Sequence, residues 1–240
     1  MQLEALADES QTLAAGIALR LRSLIASGGI APGEKLHLDE IRARFGVSLS
    51  PLREALSRLR AEGFVVALEN QRGYRVAPVS EDNLREVTRL RVEFESLALR
   101  ESIRLGGERW ESDIVARLYE LTKVERGAAG AAQVEAWERR HRAFHDALIN
   151  ACGMPLLLNF CATLHDLGDR YRRLFLEHHP IDRDVAQEHR AIGDAALGRR
   201  PDEACALLRD HIERTGRMVA QALTSPRSSP LSTHATRPGG

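Results

Sequence analysis

Phe45-Gly46-Val47-Ser48-Leu49-Ser50-Pro51-Leu52-Arg53-Glu54-Ala55-Leu56 decides the fold of the front of the chain. Gly46 ends a helix running from Asp39 to Phe45, because glycine enters the left-handed conformation that closes a helix without a Cβ penalty. Ser48-Leu49-Ser50-Pro51 opens the next helix. A hydroxyl can cap the exposed N–H groups there, and Pro51 is tolerated in the first turn, where its missing N–H would be unbonded anyway. Leu52, Ala55, Leu56 and Leu59 then recur at helical spacing up to the stop at Gly63. Two helices meeting at a tight turn make a helix-turn-helix.

The flanks extend this unit. Leu13 to Ser27 carries apolar residues at Leu13, Ile17, Leu21, Leu24 and Ile25, a helical period that stops at Gly28-Gly29. Phe64 to Leu68 and Tyr74 to Val76 are rich in β-formers and separated by Glu69-Asn70-Gln71-Arg72-Gly73, which predicts a hairpin with a polar tip. Residues 13–79 therefore read as a winged helix-turn-helix behind an N-terminal extension, residues 1–12. From Glu81 onward no strand is evident. Helical periodicity recurs in Leu84 to Leu105, Trp110 to Val124, Val134 to Ala151, Leu156 to Phe175, Arg183 to Leu197 and Asp202 to Leu223, with glycine or proline at the breaks. Residues 80–224 form an antiparallel helical bundle on this reading, so the fold class is mainly α. Residues 225–240, rich in Ser, Pro, Thr and Gly, read as a disordered tail.

At 240 residues, with 43% hydrophobic and 28% charged, the chain can bury a substantial core and is not a disordered, collagen-like or fibrous polymer. Cys152, Cys161 and Cys205 are widely spaced without a CxxC pair, which reads as buried reduced thiols. The longest apolar runs fall far short of the roughly 20 residues of a membrane span. Glu4, Asp8 and Glu9 replace the basic start of a secretory signal, so a cytoplasmic protein with no membrane partner is expected. The net charge of zero hides an asymmetry. Residues 16–79 hold ten Lys/Arg against six Asp/Glu, a net of +4, whereas residues 80–224 hold 22 against 25, a net of −3. A basic front segment fits a nucleic-acid partner.

Pro32-Gly33, the segment from Phe45 to Leu56, Leu59, Glu62-Gly63 and Arg72-Gly73-Tyr74-Arg75-Val76 together resemble the DNA-binding domain of the GntR superfamily of bacterial regulators. Through Arg91-Val92-Glu93-Phe94-Glu95, Phe144-His145, Glu188-His189-Arg190-Ala191-Ile192 and His211-Ile212, the second region is similar to the FCD effector domain of its FadR-like subfamily. The resemblance implies a ligand-responsive regulator, most often a repressor, bound as a homodimer to a palindromic double-stranded operator. Ser48, Ser50, Pro51 and Arg53 at the helix start, with Arg44, Arg58 and the wing residues Arg72 and Gly73, are the candidate DNA contacts. Arg53 is the first choice for reading a base edge. The family usually has Arg where this chain has Leu49, so its common half-site does not carry over.

Seven of the nine histidines lie between His141 and His211. His141 and His145 are i,i+4 on one helix face and can offer two imidazoles to one ion, while His189 and His211 sit on later helices that a bundle can aim at the same interior. The resemblance implies a divalent metal held by an Asp and three His. His145, His189 and His211 match the three histidines, and His141 stands where the family usually has Asp, a change that favours Zn²⁺ or Ni²⁺ over Mn²⁺. Family effectors are commonly small organic acids that touch the metal and a nearby Arg. Arg91 matches that Arg, Arg170 and Arg172 are further candidates, and the Arg170-Tyr171-Arg172-Arg173 run resembles a dicarboxylate-responsive subgroup. One alternative is an apo pocket whose imidazoles bind the acid directly. Another is a metal-dependent enzyme with an accessory DNA-binding module. Against it, no HExxH or other catalytic signature occurs, and Asp146 and Glu188 adjoin the histidines in sequence but are expected to point elsewhere.

Overall fold

Gly46 takes φ +66° and its N–H bonds the Arg42 carbonyl, closing α2 (Leu38–Phe45) as the sequence predicts. α3 (Leu49–Ala61) follows after Val47 and Ser48. Ser48 occupies the N-cap position with extended backbone, but its hydroxyl accepts no capping hydrogen bond, so the expected cap is positional only. Pro51, Leu52, Ala55, Leu56 and Leu59 form the buried face of α3.

These elements belong to a computed structural model that describes residues 2–68, 73–124, 131–176 and 184–224, with side chains described from residue 13 onward and none at 131–133 or 175–176. The wing tip with Arg72, the segment holding His178 and His179, and residues 225–240 lie outside the described residues. α1 spans Gln2–Ala26, so the helix begins well before Leu13. α1 and α3 pack together, and Ile17, Leu21, Ile25, Leu52, Leu56 and Phe64 centre the head's core. β2 (Val65–Ala67) and β3 (Tyr74–Val76) form the expected hairpin. The sequence reading missed β1 (Lys35–Leu36), which pairs antiparallel with β3 and completes a sheet of order β1-β3-β2. Two residues are too short to show alternation, and only the pairing reveals the strand.

The second region contains α4 (Glu81–Leu105), α5 (Glu108–Thr122), α6 (Ala131–Ile149), α7 (Pro155–Leu176), α8 (Val185–Leu197) and α9 (Pro201–Thr224). α4 starts at an N-cap that works: the Ser80 hydroxyl accepts from the Asn83 N–H at 3.2 Å. α4 packs against α6, α7, α8 and α9, most extensively against α9 and α7. Leu99, Ile114, Phe144, Leu148, Ile192 and Leu208 form the bundle core. Head and bundle share a boundary, since Val87 of α4 and Leu167 of α7 join the head's apolar cluster. No helix among the described residues is long and apolar enough to cross a membrane.

Leu56 is fully buried, and truncating such a leucine removes its burial and leaves a cavity. Leu56→Ala is expected to lower the unfolding free energy by about 2–5 kcal/mol, read from the urea midpoint with native helical circular dichroism retained.

Candidate functional site

Two surfaces collect the candidate residues. On α3, Ser50 and Arg53 are exposed on the face opposite the leucines, with Ser48 exposed just before the helix. Arg44 is exposed on the last turn of α2, so the turn between the helices presents hydroxyls and guanidinium groups outward. Pro51 is buried and corrects the expectation that it touches DNA: it starts the helix from inside. Arg58 is half-buried and bonds Glu54 on its own helix at 2.5 Å, which ties it down as a helix-face ion pair. Arg53 carries no ion pair among the described residues, and Gly73 sits half-buried just before β3.

The second collection is internal. α6 contributes His141 and His145 from successive turns, α8 contributes His189, and α9 contributes His211. All four are buried, and one ligand atom from each lies within 4.8 Å of the others. Ring centroids are 4.5 Å apart for His141–His145, 5.0 Å for His141–His189 and 4.7 Å for His189–His211. Nδ1 of His141 and both ring nitrogens of His145 are buried without a hydrogen-bond partner. Buried polar atoms left open are costly, at roughly 1–3 kcal/mol each, so the cluster calls for something that accepts lone pairs. Zn–N bonds of about 2.1 Å put tetrahedral nitrogens about 3.4 Å apart, a modest contraction of the set observed. The donor set therefore fits a divalent metal.

Residues around the cluster refine it. Glu188 points into the site, contrary to expectation: its Oε2 lies 2.8 Å from Nδ1 of His211, which orients the other nitrogen inward. Its spacing from His211 gave no sign of this, because the contact crosses between α8 and α9. Asp146 does face away, pairing with Arg142 at 3.0 Å. Trp137, one turn before His141, stacks on its ring at 4.6 Å and 17°. His165 of α7 is a fifth buried histidine, 5.5 Å from His145 between centroids; the sequence offered nothing to separate it from an ordinary core residue. Burial holds His141, His145 and His165 neutral, pushing each pKa well down, with neighbouring Arg172, His211 and Arg142 respectively reinforcing it.

Arg91 and Arg172 border the cluster, and both are already paired. Nε of Arg91 donates to Glu95 at 2.7 Å, and Arg172 bonds both Glu138 and Asp169, the latter at 2.8 Å. Gly168 of α7 makes room for Arg91, since a Cβ there would fall 3.1 Å from Arg91 Nη1. Beside the histidines, Arg91, Trp137, His141, Arg172 and His211 line a cavity of about 10 Å³, room for about one water. Arg170 corrects the sequence reading: it faces away from this cavity and donates to the Ala77 carbonyl between head and bundle.

Residues 13–76 match the gntR family of bacterial regulatory proteins, and residues 86–214 match the FCD domain. The HTH-type transcriptional repressor GlaR of Escherichia coli (strain K12) is 34% identical over 207 residues, covering 85% of this chain and 94% of GlaR. The HTH-type transcriptional regulator BphR of Paraburkholderia xenovorans (strain LB400) is 37% identical over 204 residues, covering 84% and 83%. The solved structure of E. coli McbR/YncC superposes with a TM-score of 0.75 at 19% identity, covering 88% of this chain and 98% of that one, a likeness of fold. This chain belongs to the GntR family, in the FadR-like branch that carries an FCD domain, and is a DNA-binding transcriptional regulator rather than an enzyme. FCD domains often bind metals, and GntR regulators bind operators and small-molecule effectors, typically as dimers.

The three neutral histidines set a pH dependence. Their folded pKa values lie below the unfolded value of about 6.5, so the unfolded chain binds more protons at acid pH. Stability of metal-free protein is then complete above about pH 7 and falls as pH drops through 6.5, by up to about 1.4 kcal/mol per pH unit for each histidine. Thermal midpoints taken from about pH 8 to about pH 5 check this; a flat profile contradicts it.

Proposed function

We propose that this chain is a cytoplasmic repressor that binds a palindromic operator as a homodimer and senses a small carboxylate, such as a dicarboxylate, through a divalent metal. Residues 13–79 bind DNA and residues 80–224 sense and dimerise. The name of GlaR as a repressor supports the direction of control. The observation that carries the sensing half is the convergence of four buried histidines within 4.8 Å.

His141, His145, His189 and His211 would hold the ion. Four neutral imidazoles favour Zn²⁺ or Ni²⁺, and an ion that expands beyond these four ligands would supply a Lewis-acid centre that attracts a carboxylate. Arg91 and Arg172 alone do not make an anion site. Their two positive charges are opposed by Glu95, Glu138 and Asp169, and burial pushes the Asp169 carboxyl up towards its neutral form without freeing Arg172. This balance favours the metal over the reading in which imidazoles bind the acid directly. The cavity is too small for an organic acid as it stands, so binding requires the walls to separate. A ligand that favours the separated arrangement shifts the population by its differential affinity for the two states.

On the DNA side, Ser48, Ser50 and Arg53 enter the major groove from the start of α3, with Arg44 and the wing on phosphates and the minor groove. Arg53→Ala is expected to remove about 1–3 kcal/mol of sequence discrimination, measured as the ratio of specific to nonspecific binding on selected duplexes, while the bundle's melting is unchanged. Retained discrimination removes Arg53 as the reader. Elemental analysis of purified protein should find one divalent ion per chain. Titration of Zn²⁺ into metal-free protein should change Trp137 emission through the His141 stack, and the double substitution His145→Ala with His189→Ala should abolish both signals; metal content unchanged in that variant overturns the site.

A further inference from the structure

α7 is covered on two sides by different parts of the molecule. His165, Asp169 and Arg172, at i, i+4 and i+7, face the histidine cluster and Glu138. Leu167 and Arg170, at i and i+3, face the head, where Leu167 lies in its apolar cluster, and Tyr171, at i+4, packs with Leu84, Val219 and Ala222 beside the start of α4; Arg170 and Tyr171 are 1% exposed. The hydrogen bonds of Arg170 and Tyr171 converge on one short stretch of chain. Arg170 donates to the Ala77 carbonyl, immediately after the last strand of the head. The Tyr171 hydroxyl accepts from the Ser80 N–H at 3.1 Å and lies within donating distance of the Ser80 carbonyl, 3.1 Å, and Asn83 Oδ1, 2.9 Å.

Ala77 and Ser80 bracket Pro78-Val79, the connection between head and bundle, and Ser80 is also the N-cap of α4, the helix that carries Arg91. Arg170 has no carboxylate partner among the described residues, and its Nε is buried without a hydrogen bond. A buried guanidinium held mainly by one carbonyl is an expensive way to stabilise a fold. Its geometry instead pins the point where the head leaves the bundle. A neutral apolar residue would fill the same space without that directional contact.

We infer that Arg170 and Tyr171 are positioning residues that couple the metal pocket to the head, by clamping both ends of the 77–80 connection to the helix whose other side borders the histidines. The inference rests on the metal-linked sensing reading for its trigger, though the clamp itself does not need a metal. Movement of α7 when the pocket fills then repositions Ala77 and the α4 N-cap together, which turns a local change into a change in head orientation. Tyr171 supplies a donor and an acceptor at once; phenylalanine keeps the packing and loses both.

Backbone hydrogen exchange of the full chain over residues 77–83, with and without Zn²⁺, tests the coupling, alongside Zn²⁺ affinity from competition with a chromophoric chelator. In the native chain Zn²⁺ should change exchange over 77–83 by about fivefold or more, the lower end of ordinary allosteric coupling. Tyr171→Phe and Arg170→Met should bind Zn²⁺ as tightly as the native chain and lose that response, and Arg170→Lys, which keeps a donor, should recover it. Zn²⁺ binding without a response at 77–83 in the native chain, or an undiminished response in both Tyr171→Phe and Arg170→Met, overturns the inference. Failure to bind Zn²⁺ overturns the metal reading instead. The clamp is then decided by His165→Gln, which must alter exchange over 77–83 in the native background and leave it unaltered beside Tyr171→Phe; the same change in both backgrounds, or in neither, overturns it.

Discussion

The paired burial of Arg172 with Glu138 and Asp169 is the constraint on which the sensing half of the molecule depends. Removing charges from water is costly, and the interior repays it only if every partner is in place. Arg172 sits on α7 and Glu138 on α6, so the ion pair fixes the two helices that supply Asp169, His165, His141 and His145. Arg91 pairs with Glu95 on its own helix, α4, and its guanidinium lies against Gly168 of α7. The cluster is therefore walled by charges that cancel one another. Burial leaves the imidazoles uncharged and available as lone-pair donors, and walls whose charges oppose one another repel a cation less than a lone arginine would.

The same helix bears on the head. With polar groups on both of its covered sides, α7 has a composition that ordinary core helices avoid, and the residues that break the apolar pattern are the ones with assigned partners across an interface. Asp166 extends this: it bonds Arg142 of α6 at 2.7 Å and lies 3.5 Å from Arg22 of α1, which in turn bonds Glu62 beyond α3. Each of these pairs is partly solvated and contributes modestly. Together they give the head a polar seat on the bundle rather than a purely apolar one, and polar seats have specific registers.

Much of this was legible in the sequence because it depends on local chemistry. Gly46, Pro51 and the leucines of α3 speak through backbone conformation and helical period, and His141 and His145 announce their shared face by spacing alone. The convergence of His189 and His211 needed the resemblance, since periodicity places them on helices without saying which way each helix faces. What escaped were contacts made between elements distant in sequence. Glu188 reaches His211 across two helices, Arg170 turns to Ala77 rather than to the pocket, and β1 exists only because β3 lies beside it. None of these leaves a trace in composition or period. The start of α1 escaped for a different reason: residues 2–12 lack the apolar spacing that marks a buried helix, and the helix continues regardless.

The three cysteines are free and buried, and burial pushes the Cys161 thiol up to about 12. At neutral pH only about one such thiol in 10⁵ is ionised, so it neither attacks oxidants nor competes for soft metals. A centre made of imidazoles alone contains no sulfur for peroxide to oxidise. Zinc sites built on thiolates release their ion when the cell is oxidised; one built as this cluster is built would keep it. On the metal-linked sensing proposed above, the readout would thereby be separated from redox stress while the surrounding thiol pool changes.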